Sequence, residues 1–318
     1  MYLLELAGED DRFARREAAS RCSDVSALGT GLATARGIGD VETLAYTRRV
    51  SRLLATCRPE IEDAIVALEA SSTDRSGTVA VRAVDVRGES GVDTQAAERR
   101  LGAILVDRGF DVDLDDPDHT LVAAFAETAA LGWVVAESRR DYGTRKPTNR
   151  PFFQPGSMDP IDARALANIA GAKPDARILD PMCGTGGLLI EAGLSGASVV
   201  GVDAQRKMVE GTRRNLGAYL EAGAVLQGDA TRLPFDGGFD GAVVDVPYGR
   251  QSKIAGRPLD ELVEAMLSAV GDVTPRAVVV GDRDYDTVAE AAGWRVDSHF
   301  ERRVHRSLVR HIHVLERR

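Results

Sequence analysis

The chain is poor in cysteine, lysine, aromatic residues and long apolar runs, and each shortage removes a class of function. Cys22, Cys57 and Cys183 are odd in number and widely spaced, so they match neither a disulfide framework nor the usual metal-ligand spacings. Most of the histidines (His299, His305, His311 and His313) cluster near the C-terminus, away from His119, and no structural zinc is expected. No apolar run reaches the roughly 18 residues that a membrane span requires. The opening MYLLELAGEDDRFARRE also lacks a basic segment followed by a long apolar one. A cytoplasmic chain with no membrane segment is expected, and with nothing marking a dimer surface a monomer is assumed.

Positive charge is also short. Asp and Glu number 49 against 40 Lys and Arg, for a formal charge of −9. The basic side is almost entirely arginine, since the lysines are Lys146, Lys173, Lys207 and Lys253. Net acidity argues against indiscriminate nucleic-acid binding but leaves room for a local basic footprint, which depends on where the arginines lie. A length of 318 residues allows two domains, or three.

What is present centres on ARILDPMCGTGGLLIEAGLSGASVVGVD, Ala176 to Asp203. It reads as a strand ending at Asp180, a turn at Gly184-Thr185-Gly186-Gly187 opening a helix, and a second strand ending on Asp203. That is how an open α/β sheet presents an adenosine-containing cofactor. A pyrophosphate site avoids a carboxylate at the mouth of the loop, and Asp180 stands there. Asp180 repels phosphate but accepts hydrogen bonds from an ammonium. S-adenosylmethionine has an amino-acid end and no phosphate, so it is the cofactor expected. Asp203 is placed for ribose hydroxyls, and Asp229 beside Ala230, after a third strand, is placed either for the adenine amine or as the cap of a following helix or loop. Cys183 reads as a small packing residue beside the cofactor. A nucleophilic cysteine would imply 5-methylation of a pyrimidine, and such enzymes keep Pro-Cys where this chain has Asp245.

The front of the chain reads as α+β. Tyr2 to Leu6 and Gly31 to Ala35 are strand-like, and Asp11 to Cys22 is helical. Tyr46 to Cys57 also looks helical, because Val50, Leu53, Leu54 and Cys57 recur at three- and four-residue steps. Thr78 to Val86 alternates as a strand, Asp93 caps a helix from Thr94 to Asp107, and two more strands follow at Thr120 to Ala126 and Leu131 to Glu137. RRDYGTRKPTNR, Arg139 to Arg150, then carries five basic side chains in twelve residues. It is either a solvated linker or a line of phosphate contacts. Asp162 is expected to cap the next helix, Ala163 to Ala170.

After Asp229 a fourth strand ends in Asp245-Val246-Pro247-Tyr248-Gly249, past the carboxyl end of a sheet where reacting groups sit. The exocyclic amine of a purine is a poor nucleophile. Asp245 can accept one of its N–H bonds and the Pro247 carbonyl the other, which turns the nitrogen lone pair toward the methyl group. Tyr248 offers a face on which a base can stack. Direct displacement at the sulfonium methyl follows, with Asp245 stabilising the charge that grows on nitrogen. An ordinary carboxyl pKa, about 3.9, makes Asp245 a poor proton acceptor. Trp294 to Ser298 and Leu308 to Leu315 form a terminal hairpin about a polar turn holding Glu301, Arg302, Arg303, His305 and Arg306.

RKPTNRPFFQPGSMDPIDARALANIAG, LDPMCGTGGLLIEAG, GVDAQRKMVEGTRRNL, GDAT and DVPYGR together resemble the THUMP-containing tRNA guanine-N2 methyltransferases, nearest the archaeal branch that makes N2-methyl- and N2,N2-dimethylguanosine at position 10. The resemblance covers essentially the whole chain. It implies an α/β protein with a ferredoxin-like region at 1–50, a THUMP RNA-binding domain at 51–138, a basic linker at 139–160 and a Rossmann-like methyltransferase domain at 161–318. That last domain would hold a mostly parallel seven-stranded sheet with an antiparallel terminal hairpin. The resemblance implies tRNA as partner. It places Asp180, Gly184, Gly186, Asp203 and Asp229 at the cofactor, where Cys183 and Ala230 are also expected as neighbours, and Asp245, Pro247 and Tyr248 at the chemistry. Arg145, Lys146, Arg150, Arg250 and Lys253 are the expected RNA contacts. The family signature is Asp-Pro-Pro-Tyr-Gly, and Val246 replaces its first proline, which bears on loop rigidity. The rival functions are guanosine-6 methylation, adenine-N6 methylation of nucleic acid, and a catalytically silent tRNA-binding protein.

Overall fold

The computed structural model describes residues 1–248, 258–305 and 308–318. The chain divides into two compact units, Met1–Arg139 and Arg140–Arg318.

The first unit contains β1 (Tyr2–Leu6), α1 (Asp11–Ala18), β2 (Cys22–Ser23), β3 (Ser26–Gly29), β4 (Leu32–Ala35), β5 (Gly37–Ile38), β6 (Thr47–Cys57), α2 (Ile61–Ala70), β7 (Thr78–Asp85), α3 (Thr94–Asp107), β8 (Asp111–Val112), β9 (His119–Phe125) and β10 (Ala129–Glu137). Eight strands form one sheet in the order β3-β4-β1-β6-β10-β9-β7-β8. The Asp93 side chain accepts from the Ala96 amide at 3.0 Å and starts α3, whose Ala97, Leu101 and Leu105 fall at four-residue steps on the buried face. Residues 47–57, expected to be helical, are instead the long central strand β6, pairing with β1 on one side and β10 on the other. This strand runs through residue 50, so one sheet spans the boundary expected between a ferredoxin-like region and a THUMP domain.

The second unit contains α4 (Pro160–Ala170), β11 (Arg177–Asp180), α5 (Gly187–Leu194), β12 (Ser198–Asp203), α6 (Arg206–Tyr219), β13 (Ala224–Gln227), β14 (Gly241–Asp245), α7 (Leu259–Gly271), β15 (Arg276–Gly281), α8 (Asp286–Ala291), β16 (Trp294–His305) and β17 (Leu308–Arg317). Its seven-stranded sheet runs β13-β12-β11-β14-β15-β17-β16. The first five strands are parallel, and the final hairpin is antiparallel. The parallel strands are continuous apolar runs, as burial on both faces requires: Ala277, Val278, Val279 and Val280 of β15 are all fully buried. The hairpin is longer than expected, and Glu301, Arg302 and Arg303 lie in β16 rather than in a turn.

The strand order reverses at β11, which lies between β12 and β14. Asp180 ends β11, Asp203 ends β12 and Asp245 ends β14, so parallel pairing brings three carboxylates to one end of the sheet at its switch point.

Residues 140–160 belong to the second unit rather than to a linker. Arg145 Nε is 2.8 Å from Glu191 Oε1, and Arg164 Nη2 reaches Glu191 Oε2 at 2.8 Å, so one buried carboxylate of α5 ties both segments. The Phe152 amide donates to Asn215 Oδ1 at 2.8 Å. The cap of α4 is Asp159, which accepts from the Ile161 amide at 3.0 Å, in place of the expected Asp162.

Candidate active site

The loop after β11 is shaped by one backbone requirement. Gly186 has φ 78°, and a Cβ there would lie 2.7 Å from Thr212 Cγ2 on α6, so only glycine turns the chain into α5 at this point. Thr212 in turn donates its hydroxyl to the Gly184 carbonyl at 2.6 Å. Asp203 receives the Gly184 amide on Oδ2 at 3.0 Å and the Gln205 amide on Oδ1 at 2.8 Å. Its carboxylate is thereby fixed at the end of β12 with lone pairs to spare.

This loop, Asp180, Asp245 and the segment Gln154–Met158 line a cavity of about 200 Å³. Asp180 is 2% exposed and accepts from the Met182 amide at 3.1 Å. Burial first, then the nearby Asp203 and Asp245 carboxylates, push its pKa well above the usual carboxyl value. A buried carboxylate with so few donors suits a cationic ligand group, which restores the charge balance. Cys183 lines the same cavity, and burial and the neighbouring acids push its thiol far up, which disfavours the thiolate a nucleophile needs.

Asp245 is held from the opposite side. The Tyr248 hydroxyl donates to Asp245 Oδ1, and Arg310 Nε on β17 donates to the Tyr248 oxygen at 3.1 Å. Arg310 is 7% exposed, and its Nη1 lies 3.9 Å from Asp162 Oδ2, while Asp162 Oδ1 faces Arg302 Nη2 at 3.3 Å. Burial raises the Asp245 pKa to about 6, opposed by the Tyr248 hydrogen bond and the Arg310 charge. Val246, in the place of a signature proline, donates its amide to the Val280 carbonyl at 2.9 Å and is 1% exposed. Proline has no N–H to give, so the strand ladder here extends one residue farther and supplies rigidity by another route.

Of the residues read from the sequence, the cavity gathers Asp180, Cys183, Gly184 and Asp245, and Asp203 joins it through the Gly184 amide. Asp229 is exposed and accepts the Thr231 amide and hydroxyl at 2.9 and 2.8 Å, while Ala230 is buried in the core beside it. Arg145 and Arg150 do not form a phosphate line: they are 4% and 5% exposed, one ion-paired with Glu191 and the other packed against Gly187. Lys146 between them is exposed. Arg250, Lys253 and Gly249 lie outside the described residues. Sequence reasoning missed Arg310, whose only signal was a basic residue in the terminal strand. It also did not foresee the Tyr248 hydroxyl as a donor to Asp245.

A 3-2-1-4-5-7-6 sheet with a glycine loop and a carboxylate at the end of its fourth strand defines an S-adenosylmethionine-dependent methyltransferase. The RMKL-like methyltransferase domain family matches residues 147–312. The chain is 36% identical to the tRNA (guanine(10)-N2)-dimethyltransferase of Methanothermobacter thermautotrophicus over 86% of this chain and 83% of that protein. It is 35% identical to the enzyme of the same name from Pyrococcus abyssi, over 76% and 75%. The crystal structure of TrmN from Thermus thermophilus superposes with a TM-score of 0.52 at 22% identity, covering 100% of this chain and 99% of that one, and shares the fold. The chain belongs to the THUMP-domain tRNA (guanine-N2)-methyltransferase family. No helix among the described residues is long and apolar enough to cross a membrane.

Proposed function

We propose that this enzyme transfers methyl groups to the exocyclic N2 of guanosine 10 in tRNA, using S-adenosylmethionine. The observation that carries the reading is the Asp245 carboxylate, half-buried at the end of β14 and oriented by Tyr248 and Arg310, in the same cavity as Asp180 and the glycine loop. S-adenosylmethionine supplies the electrophilic methyl when bound. Asp180 would hold its ammonium, Asp203 its ribose and Asp229 its adenine amine. Asp245 accepts one N–H of the guanine amine and the Pro247 carbonyl the other, which aims the nitrogen lone pair at the methyl. With a pKa raised to about 6, Asp245 is also able to take the proton that leaves nitrogen, a role its ordinary pKa argued against.

Three relatives named for guanosine 10, at 30% to 36% identity, cover 76% to 86% of this chain. The tRNA (guanine(6)-N2)-methyltransferase of Thermus thermophilus is 30% identical over 59% of it, which favours position 10 over position 6. The first unit serves as the tRNA-gripping module, and exposed Lys146, with Arg250 and Lys253, supplies phosphate contacts. The test is incubation of the protein with unmodified tRNA and isotope-labelled S-adenosylmethionine, followed by mapping of the modified nucleoside.

A further inference from the structure

Behind β15, on the side of the sheet reached by α8, two aspartates and two histidines converge. Asp284, Asp286, His299 and His313 each present one ligand atom within 4.8 Å of all the others. The strands build the cluster: His299 of β16 is the cross-strand partner of His313 of β17, and the turn into α8 brings the two aspartates.

Hydrogen bonding sets which atoms are bare. His313 is fully buried, and its Nδ1 faces the Val279 carbonyl at 3.3 Å, which can only accept, so Nδ1 carries the proton and Nε2 offers a lone pair. That Nε2 accepts from the Tyr285 amide at 3.0 Å and stands 3.6 Å from both Asp284 Oδ1 and Asp286 Oδ1. His299 places Nε2 3.1 Å from His311 Nδ1 and Nδ1 3.2 Å from Asp286 Oδ2. Asp284 Oδ1 accepts the Asp286 amide at 2.7 Å, and His311 Nδ1 also lies 3.9 Å from Glu301 Oε1. Asp286 Oδ1 is buried with no hydrogen-bond partner. Acceptors thus outnumber donors at the centre of the cluster, which is what a cation corrects.

We propose that Asp284, Asp286, His299 and His313 form a structural site for a divalent ion of the zinc class. Tetrahedral zinc with bonds of about 2.0 Å separates its ligand atoms by about 3.3 Å; His313 Nε2 stands 3.6 Å from Oδ1 of both aspartates, and all four ligand atoms lie within 4.8 Å of one another, so a small inward movement of the side chains would seat the ion. Imidazole and carboxylate together suit zinc better than the all-oxygen sets of magnesium or calcium. His311 is the outer partner that fixes the His299 ring. The ion replaces the Tyr285 amide at His313 Nε2 and ties α8 to the terminal hairpin. Tyr285 packs beside Gly281, and a Cβ on that glycine would lie 2.4 Å from the tyrosine ring and 3.2 Å from Val246 Cγ2, so the tie braces the strand that carries Asp245.

The experiment is calorimetric titration of zinc sulfate into the full, untagged chain after dialysis against chelator, with melting temperature and the amide resonance of Tyr285 as further readouts. One ion per chain is expected, with a higher melting temperature and a displaced Tyr285 resonance. Asp286→Asn and His299→Ala should each weaken binding at least 100-fold, and His311→Gln much less. Absence of zinc binding by the wild-type chain overturns the proposal without reference to how any variant folds. Binding that survives both Asp286→Asn and His299→Ala overturns it equally.

Discussion

Arg310 Nε lies 3.1 Å from the Tyr248 hydroxyl, which itself donates to Asp245. Residues 62 positions apart in the chain are thereby linked in one relay, because β17 inserts beside β15 and not at the edge of the sheet. Arg310 touches no reacting atom; it positions the tyrosine and lowers the pKa of the carboxylate beyond it. Arg310→Met should lower kcat/KM about 10- to 100-fold, the scale of one buried hydrogen bond to a charged group. It should also move the acidic limb of the pH profile to higher pH, since the cation that favours ionised Asp245 is gone. A drop in rate with no movement of that limb would reduce Arg310 to a packing role.

In the wild-type enzyme, kcat/KM should rise with pH through an apparent pKa of about 6, because Asp245 must be ionised to accept from the guanine amine. A profile flat from pH 5 to 8 would remove Asp245 from that role.

The same shift has a cost in stability. The folded pKa of Asp245 is raised above its unfolded value, so the native state binds more protons between pH 4 and 6 and stability falls as pH rises through that window. The full penalty is about 3 kcal/mol at pH 7. Asp245→Asn should therefore melt at a higher temperature than wild type at pH 7, with the difference closing near pH 4, while losing methyl transfer and keeping cofactor affinity. Thermal melts across pH check this directly.

Burial pushes the Asp180 pKa up, and an ammonium placed beside it would push it back down. Binding of S-adenosylmethionine should release a proton, measured calorimetrically in buffers of different ionisation enthalpy. Asp180→Asn should abolish the release and weaken binding about 10- to 100-fold.

Glu191 is fully buried between Arg145 and Arg164. Glu191→Ala takes the shared acid from buried Arg164 and leaves Arg145 with Asp141 alone, and should destabilise the fold by about 3–5 kcal/mol in denaturant unfolding. A loss under 1 kcal/mol would mean that residues 140–160 are not anchored through this carboxylate.

The site was legible in the sequence where it is local. Asp180, the glycine loop, Asp203 and Asp245 each sit where a strand meets a turn, and the alternation of elements fixes which end of the sheet they share. Arg310 and the histidine cluster were not legible, because strand pairing alone brings them to their partners. The misreading of β6 has a specific cause. Its pairing with β10 shifts register between Leu131 and Gly132, leaving Leu54 as an extra residue in the strand. Leu54 and Cys57, three residues apart, then pack into the same core cluster while Leu53 packs into the one on the other face, and this spacing imitates a helix. Arg145 and Arg150 misled in the opposite way: a basic run reads as solvated, yet two of its members are buried beneath α5.

Mass spectrometry of mapped fragments from an unmodified tRNA, after incubation with labelled S-adenosylmethionine, tests the central claim most directly. N2-methylated guanosine at position 10 is expected, and its mass separates one methyl from two. A label on adenine or on guanosine 6 would contradict the assigned placement of the substrate. No label at all, from protein that binds the cofactor, would contradict the chemistry assigned to Asp245.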